Sequence, residues 1–261
     1  MYRVSYREPR IEMSEYTSGA YFADSSRHSE DAEFKAKEFL SLLQRSWHSP
    51  ALRPGSYVDV GCGSGDVVKS VACGLRKSGC RLTSVKGYDV SPHVKTIAGK
   101  DIEFIHGDFC QSHVSADLVT LFDVLEHVLG PIEFLREVSR RSKMVGLHIP
   151  LDNNLNCGLR NLFHSKLRNP GHLLFMDTAA ALNILTLAGL RVIDYKYTYS
   201  SPTGHSTALS RFIYPLRALA ARISPWLLSK TLGGASLMVL AVTQHYFEEA
   251  EIDLRLGGRT S

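Results

Sequence analysis

The chain reads Tyr57-Val58-Asp59-Val60-Gly61-Cys62-Gly63-Ser64-Gly65, and then Asp66-Val67-Val68-Lys69-Ser70-Val71-Ala72. The first part is an apolar run rich in β-branched residues that ends in three glycines at alternate positions. The second part changes to helical spacing. Together they predict a buried parallel strand, a tight turn and a helix start. Glycine suits such a turn because it accepts positive φ and lets the backbone approach a ligand with no Cβ in the way. The strand also carries an acid, Asp59, two residues before the first glycine. A phosphate gains nothing from an acid there, whereas a cationic ligand does. The Gly-x-Gly-x-Gly spacing likewise differs from the Gly-x-Gly-x-x-Gly of dinucleotide-binding turns.

Strand and helix signals alternate outward from this stretch. Upstream, helical spacing begins at Ser29, a capping residue type, and Ser49-Pro50 and Pro54-Gly55 break the chain before the strand. Downstream, residues 82–90 read as a second strand ending in Tyr88-Asp89, and Ser91-Pro92 opens a short helix. Residues 102–106 and 117–122 are the third and fourth strands. A helix over 131–141 leads to a fifth strand over 144–149. An Asn-rich connection then spans 151–176, a length at which loops are usually functional or disordered. Asp177 caps a helix over 178–188, and strands follow at 190–199 and 235–242. The pattern predicts an α/β fold with a seven-stranded, mostly parallel sheet covered by helices on both faces. The expected division is an arm and helix over 1–48, a main domain over 49–245 with an insertion at about 200–232, and a tail over 246–261.

Composition limits the partners. Among 261 residues, 30 basic and 26 acidic side chains leave a net charge of +4, too small and dispersed an excess to imply nucleic acid. The densest basic cluster, Arg136, Arg140, Arg141 and Lys143, fits the solvated C-terminal turn of a helix. Apolar residues at 44% suffice for a sizeable core. The five cysteines are odd in number and form no Cys-x-x-Cys pair, which argues against a zinc ribbon or a disulfide framework and for a reducing cytoplasm. The first residues lack the apolar core of a secretory signal, and no apolar run approaches the ~20 residues of a bilayer span.

Ligands of open α/β sheets bind beyond the C-terminal strand ends, and each of the first four strands ends in a polar group. Asp89 can accept two hydrogen bonds from a ribose diol or can cap the following helix. Asp108 can accept one from an adenine amino group, with Phe109 packing on the ring. The fourth strand runs into Phe122-Asp123-Val124-Leu125-Glu126-His127-Val128. Over roughly residues 50–245 this set resembles the class I, Rossmann-like methyltransferases that use S-adenosylmethionine. Asp123-Val124-Leu125-Glu126-His127-Val128 and Gly171-His172-Leu173-Leu174-Phe175 resemble the ubiquinone-biosynthesis-like branch, which mostly modifies small molecules. The resemblance implies that Asp59, Gly61, Gly63 and Gly65 hold the methionine moiety, Asp89 the ribose, and Asp108 and Phe109 the adenine. Cys62, Val90 and Phe122 complete the expected cofactor set, with Cys62 read as a packing residue rather than a nucleophile.

A hydroxyl acceptor needs a proton removed, and His127 and His172, both beyond strand ends, are the candidate bases. His148, alternating along a buried strand, reads as structural. Asp123, Glu126, His127 and His172 also look like the carboxylate–histidine metal set of small-RNA terminal methyltransferases and of some ubiquinone-pathway O-methyltransferases. That similarity implies a divalent cation, although Asp123 stands where the pattern has a longer Glu. Residues 210–232, amphipathic and basic, predict two short helices broken near Ser224-Pro225. They cover the acceptor pocket as a lid, touch a membrane surface peripherally, or pack on the sheet edge. The expected activity is methylation of a small-molecule hydroxyl oxygen. N- or C-methylation, a nicotinamide-dependent oxidoreductase and a non-catalytic partner subunit of the same fold are the competing readings.

Overall fold

A computed structural model of the chain describes residues 29–47, 50–199, 217, 219 and 221–249. The expected arm over 1–28 and most of the insertion over 200–220 lie outside these. The first helix, α1 (Ser29–Arg45), leads through a 3-10 turn to β1 (Ser56–Val60). Then come α2 (Asp66–Lys77), β2 (Ser84–Asp89), β3 (Glu103–His106), β4 (Ala116–Phe122), α3 (Pro131–Ser139) and β5 (Ser142–Pro150). The connection after β5 is not the continuous loop that its asparagines suggest. It holds two short helices, α4 (Leu155–Leu159) and α5 (Phe163–Arg168), the first started by Asn154, whose side chain accepts from the Cys157 amide at 2.9 Å. Asparagine both punctuates loops and caps helices, and here the second role was missed. The chain ends its described course with α6 (Thr178–Leu187), β6 (Leu190–Tyr199), α7 (Pro225–Lys230), β7 (Ala235–Thr243) and α8 (Gln244–Glu249), the last lying where a tail was expected.

The sheet order is β3-β2-β1-β4-β5-β7-β6. All pairings are parallel except those of β7, which runs antiparallel to both β5 and β6. Strand periodicity sends successive side chains to opposite faces. Val58, Val119 and Val145 therefore join Leu135 and Val138 of α3 and Leu185 of α6 in one core. Tyr57, Leu118 and Met144 join Phe39 and Leu43 of α1 and Val68, Val71 and Leu75 of α2 in the other. Both faces are buried, which explains why β4, β5 and β7 read as continuous apolar runs rather than alternating ones. The basic cluster is ion-paired: Arg140 and Arg141 meet Glu137, and Lys143 meets Asp117 at 2.8 Å.

Because β2 lies on one side of β1 and β4 on the other, the chain leaves β1 and β4 in opposite directions. A crevice opens between their C-terminal ends, the place where such folds bind ligands. The central strands leave little slack. A Cβ added to Gly146 in β5 would stand 2.4 Å from Cε2 of Phe39, whose ring is wholly buried under α1. Gly146→Ala is therefore expected to lower stability by ~1–3 kcal/mol through overpacking, read as a lower midpoint with unchanged slope in urea unfolding. An unchanged midpoint would show that α1 can move away freely.

Candidate active site

The turn after β1 is built by backbone bonds. The amides of Gly61 and Cys62 both donate to the carbonyl of Tyr88, at 2.8 and 3.0 Å, and the Gly65 amide donates to the Cys62 carbonyl at 2.8 Å. Gly61 and Gly65 have φ of +73° and +79°, and a Cβ on either would run into Val124 at 2.5 Å or Phe104 at 2.7 Å. Both conformation and space thus demand glycine. Asp89 grips the turn from β2: one carboxylate oxygen accepts from the Gly63 amide at 2.8 Å and the other from the Ser91 amide at 2.7 Å. It therefore caps the next turn and supports the glycine loop at once. A carboxylate has about four lone-pair sites, so these two bonds leave it capacity for further donors.

Asp59 is 2% exposed and accepts a 2.5 Å bond from the Thr120 hydroxyl, to which the Tyr57 hydroxyl is bonded in turn at 2.9 Å. Burial, with the Asp89 charge adding to it, pushes the Asp59 carboxyl up to about 7. A cation placed beside it is thereby favoured. The other expected cofactor residues divide. Asp108 is exposed and accepts from the Cys110 amide at 2.8 Å, and Val90 is 54% exposed beside it on the crevice side of β2. Phe109 does not offer a ring face: it is 1% exposed and packs edge-on against Tyr88, with centroids 5.3 Å apart. The expected stacking of Phe109 on adenine is corrected accordingly, because the turn after β3 sends its first apolar side chain into the core. The Cys62 side chain is likewise buried, its thiol pushed up by burial first and by Asp59 and Asp89 next, which leaves it inert and available only through its backbone. Phe122 lies at the end of β4 between Phe39 and His148.

Beyond Phe122 the chain turns sharply. Asp123 takes φ +55° and points to α1, where its carboxylate receives a 2.5 Å bond from Lys35 and a 2.6 Å bond from His148. The other nitrogen of His148 meets the Thr198 hydroxyl at 2.9 Å. Burial alone would raise the Asp123 carboxyl, but the charges of His148 and Lys35 outweigh it and hold it far below the usual range. Asp123 is thus committed to a half-buried ion cluster with Lys35 and His148, and its expected place in a metal set is not borne out. His148 is structural, as its position in the strand suggests.

Three residues further on, Glu126 points the other way. Its backbone carbonyl accepts from the amides of Leu173 and Leu174 at 2.8 and 3.1 Å, which clamps the loop after α5 to the end of β4. Its carboxyl is wholly buried, and among the described residues neither oxygen has a hydrogen-bond partner. Burial first, then the charges of Asp123 and Asp152, push this carboxyl well above its ordinary value. His127 and His172 stand on either side, ring centroids 5.1 Å apart, each with Nε2 3.9 Å from Glu126 Oε1. Nδ1 of His127 faces the Gly171 carbonyl at 3.0 Å, and Nδ1 of His172 faces Asp152 at 2.7 Å. Both partners accept only, so the Nδ1 of each imidazole donates, which leaves Nε2 as the nitrogen that can accept a proton. Burial lowers the His127 pKa. For Asp152, burial is outweighed by bonds from His172 and from Lys166, the latter at 2.9 Å, and its carboxyl stays below the usual range.

A family model described as "Methyltransferase domain" matches residues 30–195, well over half of the chain. The chain belongs to that family. It is a class I, S-adenosylmethionine-dependent methyltransferase. No curated protein matches it in sequence. Solved structures share the fold at low identity. The Haloferax volcanii complex of the Trm112 methyltransferase activator with a methyltransferase aligns at TM-score 0.60 and 19% identity, over 91% of this chain and 100% of the other. Magnesium protoporphyrin IX methyltransferase of Synechocystis PCC 6803, with bound SAH, aligns at 0.54 and 16%, over 88% and 96%. Mitomycin 7-O-methyltransferase MmcR aligns at 0.53 and 14%, over 81% of this chain and 54% of its own length.

Two residues of the methyltransferase escaped the reading of its sequence. Asp152 lies two positions beyond the end of β5, a strand-end acid on the ligand side of the sheet, and that position was the available signal. Lys35 looks like one more charged residue of α1, and nothing local marks it as Asp123's partner. Replacing Asp123 by Asn leaves the half-buried Lys35 with Asp31 as its remaining anion and takes the charged acceptor from His148, a loss of ~1.5–3 kcal/mol for hydrogen bonds to a charged group. The depressed carboxyl contributes stability that is fully present above its unfolded pKa of ~3.9 and is lost as pH falls below it. The gap between wild type and Asp123→Asn in urea unfolding should thus be full at pH 7 and shrink below about pH 4. A gap independent of pH would show that the ionised carboxylate is not its source.

Proposed function

We propose that the methyltransferase holds S-adenosylmethionine across the C-terminal ends of β1, β2 and β3 and transfers its methyl group to a hydroxyl oxygen of a small molecule, with His172 as general base. For the cofactor, the support is the carboxylate of Asp89 bonded to a glycine turn that admits no Cβ at Gly61 or Gly65, with the buried acid Asp59 in the strand before it. The cationic amino group of the methionine moiety suits Asp59. Val90, rather than Phe109, supplies exposed apolar surface for the adenine. Asp89→Ala is expected to weaken S-adenosylhomocysteine binding several-fold to a hundredfold, since hydrogen bonds to a charged acceptor are worth ~1.5–3 kcal/mol each. Equal calorimetric affinity in wild type and variant would remove Asp89 from the ribose.

The observation that carries the base assignment is the 2.7 Å bond between His172 Nδ1 and the ionised Asp152. It sets the tautomer, orients the ring and stabilises the imidazolium that forms. In the reaction the acceptor oxygen attacks the methyl carbon in line with the departing sulfur. The carbon–sulfur bond breaks, the sulfonium becomes a neutral thioether, and the hydroxyl proton passes to His172 Nε2. Placing the two reactants in line supplies much of the acceleration.

A second reading adds a divalent cation. Glu126 Oε1 and the Nε2 atoms of His127 and His172 each offer one ligand atom, all within 4.8 Å of one another, and the buried Glu126 carboxyl has no other hydrogen bond among the described residues. Two imidazoles and a carboxylate suit zinc or another transition metal. Such an ion, when bound, would acidify a coordinated hydroxyl. One experiment separates the readings: turnover of wild type, His172→Ala and Asp152→Asn across pH, in chelator and after adding magnesium or zinc. Full wild-type activity in chelator, a loss of at least a hundredfold in His172→Ala and a smaller loss in Asp152→Asn are expected for the base. Undiminished turnover of His172→Ala would end that assignment, and activity restored only by a metal would replace it with the cation.

A further inference from the structure

Beyond the C-terminal end of β5 and the start of β7 lies a cavity of about 330 Å³, whose lining includes Asp152, His172, Arg160, Lys166 and Arg217. The volume falls within the range of small-molecule pockets. Its charges do not balance. Lys166 is paired with Asp152, which also accepts the hydrogen bond of His172 Nδ1–H. The guanidiniums of Arg160 and Arg217 have no carboxylate within ion-pair distance among the described residues, and Arg217 is held with one nitrogen donating to the Leu232 carbonyl at 2.8 Å while its buried Nε donates to nothing. Burial first, and the charge of Arg160 second, weaken the hold of Arg217 on its proton, so the two like charges lie close enough to repel. The Gly233-Gly234 turn leaves the space open. A Cβ on Gly234 would stand 3.3 Å from the Arg217 guanidinium, and one on Gly233 would meet Asn154 at 2.9 Å.

A buried donor without an acceptor and two uncompensated cations facing a cavity describe a binding site for an anion. We infer that this cavity receives an oxyanion, a phosphate or a carboxylate, carried by the methyl acceptor and held by Arg160 and Arg217. The oxyanion site stands on the cavity alone, while its placement on the acceptor rests on the methyl transfer proposed above. Because His172 belongs both to the cavity wall and to the imidazole pair, an anion here lies within one small molecule's length of the proposed base. The phosphate can belong to a soluble metabolite or to a lipid headgroup, since α4, which precedes Arg160, exposes Leu155 and Leu159.

The test uses the full chain saturated with S-adenosylhomocysteine, titrated at low salt with inorganic phosphate and with malonate, and sedimented with phosphatidylcholine vesicles with and without phosphatidic acid. Wild type is expected to bind at least one of these probes, and the double variant R160Q/R217Q to bind it at least tenfold more weakly with unchanged affinity for S-adenosylhomocysteine. Binding of phosphate or malonate assigns a soluble acceptor, and sedimentation only with phosphatidic acid assigns a lipid one. Should the double variant lose S-adenosylhomocysteine as well, Arg160→Gln at its exposed side chain replaces it, and a several-fold loss of the anion is expected. Failure of wild type to bind any of the three probes, or equal binding by the variants, overturns the inference. Failure of wild type to bind S-adenosylhomocysteine instead overturns the cofactor site and leaves the anion titration readable.

Discussion

The carboxylate of Asp123, shared between Lys35 and His148, is the interaction on which the site's geometry rests. It joins α1, the end of β4 and β5, and through Thr198 reaches β6. It also absorbs the turn after β4. With Asp123 turned under α1 in the left-handed region, the chain leaves β4 so that Glu126, not Asp123, faces the loop that carries His172. Lys35 keeps a second anion in Asp31, and a half-buried carboxylate of this kind is a poor source of net stability compared with apolar packing. Its value here is positional: one residue in an uncommon backbone conformation decides which acid enters the active site.

The site concentrates acids that lack counter-charges. Asp59 lies under the glycine turn and Glu126 lies between two imidazoles, and burial raises the pKa of both. Each therefore favours a positively charged neighbour. The opposite imbalance sits at the cavity beyond β5, where Asp152 is taken by Lys166 and His172 and no carboxylate among the described residues pairs with Arg160 or Arg217. Charges of both signs are thus left unmet near the C-terminal ends of the strands. The same arrangement would be a defect in a protein that bound nothing.

Much of this was legible in order of distance along the chain. The strand, turn and helix around Gly61-Cys62-Gly63-Ser64-Gly65 follow from local periodicity and from glycine's conformational freedom, and the same rules place all seven strands within a few residues. The positions of the strand-end acids were legible too, because the strand bounds follow from the same local pattern, and Asp89 does stand at the end of β2. Phe109 was misread for a local reason: a turn residue next to an acid can point to the ligand or to the core, and only the Tyr88 ring one strand away chooses the core. Asn154 was misread because a cap and a loop share the same residue type.

Sequence by itself determined the fold class and the family, since hydrophobic period and glycine spacing act over a few residues and survive any rearrangement of distant parts. Tertiary structure decided which groups meet. Asp123 and Lys35 are paired across 88 positions, His172 and Asp152 across 20, and Arg160 and Arg217 face one cavity from separate segments. Electrostatic energies depend on distance and burial, and neither quantity exists until the strands have paired and the loops have closed over their ends. The identity of the residues that carry charge could therefore be read from the chain, but the partner each charge takes had to come from the fold.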